Sequence, residues 1–77
     1  MRFYFDVVDG ENATEDDEGM ELFDRRAARN EAVTRLHEFA PEPLRGRDTR
    51  TVIIRVRSAE GMPVLAVGLM ATVSYAP

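Results

Sequence analysis

The chain has 77 residues, of which 44% are hydrophobic and 31% are charged, and it contains no cysteine and one histidine. This length and composition predict a single folded domain over residues 1–77 and exclude a disordered chain. A disulfide framework and a thiolate or histidine-rich metal site are excluded as well. We therefore expect neither a metal nor another cofactor.

Charge is distributed unevenly along the sequence, although the net charge is only −4. Residues 1–24 carry nine acidic side chains and one arginine, a balance of −8, whereas residues 25–77 carry nine arginines and five acids, a balance of +4. An overall basic surface for nucleic acid or anionic lipid is therefore disfavoured, and only local basic patches remain.

No segment has the pattern of a secretory leader or a membrane span. The N-terminal stretch meets an acid at Asp6, and the longest apolar stretch, residues 62–71, is about half the length of a spanning helix. A cytoplasmic location without membrane contact is the expectation. Domains this small seldom gain more than about 3–5 kcal/mol from one core, so self-association is expected too.

The first third of the chain predicts two strands separated by an acidic loop. Residues 2–8 alternate apolar and polar side chains, as a strand with one buried face does, and Asp9-Gly10 follows as a turn. Residues 11–18 carry five acids and no large aliphatic side chain, which predicts a solvated loop. A short second strand is predicted over residues 20–23.

A helix of about 15 residues is predicted next. Asp24 is a suitable N-cap, and Phe23 is placed to pack on Ala28 as a hydrophobic staple. Pro41 is expected to end the helix after Ala40. Apolar residues recur at helical spacing at Ala28, Ala32, Val33, Leu36, Phe39 and Ala40.

The last part of the chain predicts a hairpin after a connector over residues 41–48. Residues 51–57 alternate as a strand with a clear inner face. Residues 64–73 are apolar on both faces, which indicates a central strand or one covered by a partner. The expected fold is α+β in the order β-β-α-β-β, with one amphipathic helix packed on one face of a small antiparallel sheet.

The acidic loop and the helix start together form the first candidate site. Two arginines in the first helical turn oppose the helix dipole, so nearby acids should offset them. We expect an intramolecular clasp, or alternatively a polar surface that steers a partner protein, and loose cation binding by the acids stays open. The residues concerned are Asp16, Asp17, Glu18, Glu21, Arg25 and Arg26.

The second candidate site is the sheet face opposite the helix. Tyr4, Arg55 and Arg57 share this face if the helix covers the alternate residues, and an aromatic ring beside arginines suits single-stranded nucleic acid. Nucleic acid is nevertheless disfavoured, because there is only one ring and Asp6 lies on the same face. Cross-strand pairing of Asp6 with Arg55 explains the pattern equally well.

The third candidate site is the uncovered face of the last strand. Whichever alternate set of its residues meets the helix, the other set remains apolar, and Leu69 and Met70 represent the two possibilities. Exposed apolar patches on small domains mark interfaces, so a sheet-to-sheet homodimer is expected. Catalysis is not expected, because His37 has no cysteine, second histidine or patterned serine to complete a nucleophile–base pair.

A series of short patterns follows in order along the chain: Tyr4-Phe5 with Val7 and Asp9-Gly10, residues 17–22 with Asp24, residues 27–32, and a final hairpin with Glu60-Gly61. In these patterns the sequence resembles a family of short, uncharacterised bacterial proteins, domain-of-unknown-function family 6894. The resemblance covers nearly the whole chain and implies the fold, with no catalytic residue to carry over. A weaker likeness is to small antitoxins with a strand, acidic turn and helix that neutralise basic ribonucleases.

Three functions follow from these patterns. The first is a non-enzymatic interaction module that forms a homodimer. The second is an acidic inhibitor, similar to an antitoxin, that binds a basic protein partner. The third is a binder of single-stranded nucleic acid through the open sheet face.

Overall fold

The computed structural model describes residues 1–40 and 44–77 and has an α+β fold, as predicted. Residues 41–43 of the predicted connector, including the expected helix stop at Pro41, lie outside the described residues. The elements follow in the order β1 (Arg2–Asp9), β2 (Asn12–Thr14), β3 (Met20–Glu21), α1 (Arg25–His37), β4 (Thr49–Ser58) and β5 (Pro63–Thr72).

All strands belong to one antiparallel sheet. The spatial order is β2-β1-β4-β5, and β3 pairs with β1 beside β2. The long strands β1 and β4 lie at the centre, while β5 has a strand on one side only. The final strand is therefore an edge strand.

The prediction that residues 11–18 form a loop without secondary structure is wrong in one respect. Gly10 adopts φ +62° in a tight turn, and Asn12–Thr14 folds back as β2 against Val7, Val8 and Asp9. Its three side chains are all exposed. Strand pairing here rests on backbone hydrogen bonds, which need no apolar side chain, so the composition gave no signal for it.

The helix starts where it was predicted to start. Asp24 is extended, with φ −157° and ψ −177°, and its side chain accepts a hydrogen bond of 2.8 Å from the Ala27 N–H. The hydrophobic staple is wrong, because Phe23 is 89% exposed and Leu22 packs against the core instead. Of the two neighbouring side chains before the helix, Leu22 and not Phe23 therefore faces the core.

The helix ends earlier than predicted, at His37. The N–H groups of Glu38, Phe39 and Ala40 donate to the carbonyls three residues before them, at 3.1–3.2 Å, which makes a tighter last turn. The side of the helix that faces the sheet carries the buried residues Ala28, Ala32 and Leu36, two of which are small. The core that it covers consists of Phe3, Phe5, Val52, Ile54 and Val56.

Candidate functional site

The outer edge of β1 is closed by a carboxylate. β3 pairs with Arg2 and Phe3, and β2 pairs with residues 7–9, which leaves a gap at Phe5. Asp16 fills it: its Oδ2 accepts a hydrogen bond of 3.0 Å from the Phe5 N–H, and its own N–H donates to Asp6 Oδ1 at 2.9 Å. The central part of the acidic segment thus takes the place of a missing stretch of strand.

The same carboxylate also shapes the turn that leads into β3. Asp16 Oδ1 accepts hydrogen bonds of 3.1 Å from the N–H groups of Glu18 and Gly19. Burial acts to raise the pKa of Asp16, but the hydrogen bonds from the backbone N–H groups of Phe5, Gly19 and Glu18 outweigh it and hold the pKa below its usual value. The ionised form is therefore the one that the fold needs.

A second polar network lies on the open face of the sheet, opposite the helix. The Arg57 guanidinium binds Asp6 through Nε–Oδ2 at 2.8 Å and Nη2–Oδ1 at 3.3 Å, and Nη2 also donates to the Asp16 carbonyl at 2.6 Å. Its Cζ lies 4.6 Å from the centroid of the Tyr4 ring. One arginine therefore joins β4, β1 and the acidic segment.

This network favours the charged form of both partners. Burial acts to raise the pKa of Asp6. The hydrogen bonds that Asp6 accepts from Arg57 and from the Asp16 N–H, together with the positive charge of Arg57, outweigh burial and lower the pKa. The pKa of Arg57 is raised, chiefly by its hydrogen bond to Asp6. Both side chains are about one quarter exposed, so the ion pair is partly shielded from solvent.

The predicted pairing of Asp6 with Arg55 is half right. The two residues are directly opposite in the register of β1 and β4, as are Tyr4 and Arg57. The ion pair, however, runs diagonally to Arg57, and Arg55 is exposed, with no salt bridge to any residue in 1–40 or 44–77. A long guanidinium side chain reaches the diagonal neighbour as easily as the direct one.

The predicted clasp between the acids and the helix start does not form within the described residues. Glu21 instead binds the N-terminal ammonium at 3.2 Å and lies 3.8 Å from Arg2 Nε. Arg25 and Arg26 are exposed and lie beside β5, where they line an open groove with Arg29, Val64 and Leu65. The acids and these arginines are attached to opposite edges of the sheet, which is why they do not meet.

Two acids of the predicted site carry no structural contact through their side chains. Asp17 and Glu18 are exposed, and within the described part of the chain neither carboxylate has a hydrogen bond or salt bridge. Glu18 contributes only its backbone: its N–H donates to Asp16 Oδ1 at 3.1 Å, and its carbonyl accepts from Arg2 Nη1 at 2.7 Å. These two residues therefore differ from Asp16, next to which they stand in the sequence.

The structure decides which side of the last strand meets the helix. Leu65, Val67 and Leu69 lie on the helix side and are half-buried against the core. Ala66, Gly68 and Met70 lie on the open face and are exposed, and Met70 keeps 71% of its surface in solvent. Leu69 and Met70, the two predicted interface residues, thus belong to opposite sides of one strand.

An apolar strip crosses the middle of the open face. Val8 lies opposite Ile53, and Ile53 lies opposite Gly68 on β5. No helix covers this side among the described residues, and Met70 extends the strip towards the edge. The polar network of Arg57 borders the strip at one end. An open groove of about 580 Å³ lies there, lined by Asp6, Arg55, Gly61 and residues 63–66 among others.

Charged and apolar side chains line these sites. Within residues 1–40 and 44–77, no three histidine, aspartate or glutamate side chains are grouped so as to hold a metal ion. His37 is exposed at the last position of α1. In the same part of the chain, no helix is both long and apolar enough to cross a bilayer.

The sequence did not show that residues 63–72 form an edge strand. Ala66, Gly68 and Thr72 are small and exposed there because of the position of β5 in the sheet. The only available signal was the lack of any charge over residues 63–72.

Comparison with known proteins gives one family. The family model described as Domain of unknown function (DUF6894) matches residues 2–70, which is nearly the whole chain. No curated protein and no solved structure matches the chain significantly.

Proposed function

Because the chain belongs to the DUF6894 family, whose description names no activity, we propose its function from the site alone: a non-enzymatic protein-interaction module that acts as a homodimer. A cytoplasmic location is part of this proposal. The main support is the exposure of β5. Its ten residues carry no charge, its side chains on the helix side are half-exposed, and its side chains on the open face are exposed.

The core of one chain is small, which supports the proposal. Among the described residues, only eight side chains are buried, and two of them are alanines. Domains of this size commonly gain the rest of their stability from self-association when disulfides and metals are absent. Covering β5 would remove apolar surface from water at about 25 cal/mol per Å².

The proposal is tested by measuring the oligomeric state of the wild-type protein and of two matched single-residue variants. Met70 on β5 and Met62 in the preceding turn are exposed to similar extents, 71% and 64%. In sedimentation equilibrium, Met70→Glu should weaken the dimer by at least about tenfold, which corresponds to ~1.4 kcal/mol. Met62→Glu should leave it unchanged. A wild-type protein that stays monomeric at tens of micromolar would contradict the proposal.

A second candidate function, binding of a basic protein partner, is favoured by the exposed carboxylates of Asp17 and Glu18. Of the three consecutive acids, Asp16 holds the β1 edge, whereas Asp17 and Glu18 can be neutralised without loss of a described side-chain contact. The double variant Asp17→Asn/Glu18→Gln should lose salt-sensitive capture of a basic protein in pull-downs from the native host. Capture that survives this change would exclude the acidic surface as the binding site.

Binding of single-stranded nucleic acid has the weakest support of the three. Arg57 is engaged by Asp6, and its guanidinium covers the Tyr4 ring on which a base would stack. Of the three residues predicted for this function, only Arg55 is exposed without a salt bridge in the described chain. A labelled oligonucleotide whose anisotropy is unchanged at low salt would remove this function.

A further inference from the structure

The two edges of the sheet are treated differently. On one side, β2, β3 and the Asp16 carboxylate together occupy the outer edge of β1 from Arg2 to Asp9. On the other side, β5 pairs with β4 alone, and no described element lies along its outer edge. The fold therefore protects one edge against further pairing and leaves the other available.

The hydrogen-bonding groups on the free edge can be identified from the register. The Val73 N–H donates to the Asp48 carbonyl directly opposite, at 2.7 Å, so the backbone groups of Val73 face β4. Along an antiparallel strand these groups alternate sides. Ala66, Gly68, Met70 and Thr72 therefore present their N–H and C=O groups outwards.

Edge strands of natural proteins are normally guarded against pairing. Charged side chains, a central proline or a covering loop are the usual devices. β5 has no charged residue, and its single proline, Pro63, stands at its first position, ahead of all four outward-facing residues. An irregularity of the ladder between Val56 and Arg57 is likewise confined to that end.

On the basis of the proposed homodimer, we infer that two copies join edge to edge, β5 against β5 in antiparallel orientation, about a two-fold axis at Leu69. This register pairs every outward-facing residue of the regular ladder: Ala66 with the partner's Thr72, and Gly68 with the partner's Met70, in both directions. Each such pair exchanges two backbone hydrogen bonds, so about eight form. The two sheets become one continuous sheet.

Side-chain sizes match across this interface. On the open face, the large exposed Met70 lies over the partner's Gly68, where no side chain competes for space. On the helix side, Val67 faces the partner's Ala71, and Leu69 meets the partner's Leu69 on the axis. Directly opposed side chains in such ladders are about 4.5–5.5 Å apart at Cβ, which is contact distance for these residues.

Electrostatics favours the antiparallel arrangement. The arginines at positions 25, 26 and 29 lie beside Val64 and Leu65, near one end of β5. Antiparallel pairing places the two arginine clusters of the dimer at opposite ends of the interface, about 26 Å apart at 3.3 Å per residue. That is well beyond the screening length of about 8 Å at physiological salt, so the clusters do not repel each other.

The register is tested by cysteine cross-linking, for which the natural chain provides a background without cysteine. Gly68→Cys and Met70→Cys are made in separate chains, and both positions are exposed. Residues paired across the axis have Cα atoms about 5.5 Å apart, within the range that a disulfide spans. Diagonal neighbours are about 7–8 Å apart and are not bridged efficiently.

The expected result is a covalent dimer when the two variants are mixed, allowed to exchange subunits and oxidised, and little cross-linking of either variant alone. Sedimentation of the reduced variants establishes that both still dimerise. If the dimer persists but Gly68→Cys links to itself, or the mixture does not link, the inferred interface is wrong and the proposed homodimer stands. If the wild-type chain is monomeric, both fail.

A measurement on the unmodified protein gives an independent readout. Hydrogen exchange of the Gly68 and Met70 amides should slow by at least tenfold as the protein concentration is raised through the dissociation constant. The amides of Val67 and Leu69, which face β4, should already be slow at low concentration. Gly68 and Met70 amides that stay fast in the dimer would overturn edge pairing.

Discussion

Replacing Asp16 by asparagine isolates the role of one carboxylate in closing the β1 edge. Its Oδ2 accepts from the Phe5 N–H, and its Oδ1 accepts from the N–H groups of Glu18 and Gly19. An asparagine that keeps the second contact turns its amide group towards the Phe5 N–H, where two donors face each other. The hydrogen bond to Phe5 is lost, and a partly buried donor is left unsatisfied.

The expected cost is about 2 kcal/mol in the free energy of unfolding, because hydrogen bonds to charged groups contribute ~1.5–3 kcal/mol and this site is only half-buried. Asp17→Asn is the matched control, since the neighbouring carboxylate is exposed and makes no described contact. Urea unfolding at one fixed protein concentration measures both, since dimerisation would make the midpoint depend on concentration.

The same pair of proteins predicts a pH dependence. The pKa of Asp16 is lowered in the folded state, so its contribution is fully present above its unfolded pKa of about 3.8 and is lost as the pH falls through the lower folded value. The difference between wild type and Asp16→Asn should therefore be largest near neutral pH and shrink below pH ~3.8. Equal stabilities of Asp16→Asn and Asp17→Asn at pH 7 would show that the Asp16 carboxylate does not stabilise the β1 edge.

Two further comparisons test the packing of the acidic segment and the arginine network. Gly19 and Gly46 share φ +73°, but a Cβ at Gly19 would lie 2.9 Å from a Tyr4 ring carbon, whereas one at Gly46 meets nothing within 4 Å. Gly19→Ala should therefore lower the thermal midpoint clearly more than Gly46→Ala, which carries only the backbone cost of ~1–2 kcal/mol. Arg57→Lys should lower the urea midpoint, because lysine loses the two hydrogen bonds to the Asp6 carboxylate and the stacking on the Tyr4 ring. Arg55→Lys, on the same strand but exposed, should be neutral, and equal effects would contradict the network.

The sequence predicted the elements that depend on local chemistry. Period-2 alternation identified β1 and β4, and the capping residue Asp24 identified the start of α1, because both signals act within a few residues. It also placed Tyr4, Arg55 and Arg57 on one sheet face, since side-chain direction alternates strictly along a strand.

The sequence misled where several arrangements were compatible with the same local pattern. Arg25 and Arg26 stand close to the acids along the chain, yet α1 begins beside β5, at the edge of the sheet opposite the acids. Phe23 and Leu22 were both available to face the core, and only packing against the sheet selected the second. Residues that are close along the chain can lie far apart in space when the segment between them crosses the sheet.

The uneven charge along the chain illustrates both levels. The order of residues alone shows that the acids cluster before the helix and that residues 63–72 carry no charge. Only folding places Asp16 at one edge of the sheet and makes β5 the other edge. Strand order decides this, because it is set by long-range pairing across the whole sheet and not by any segment alone.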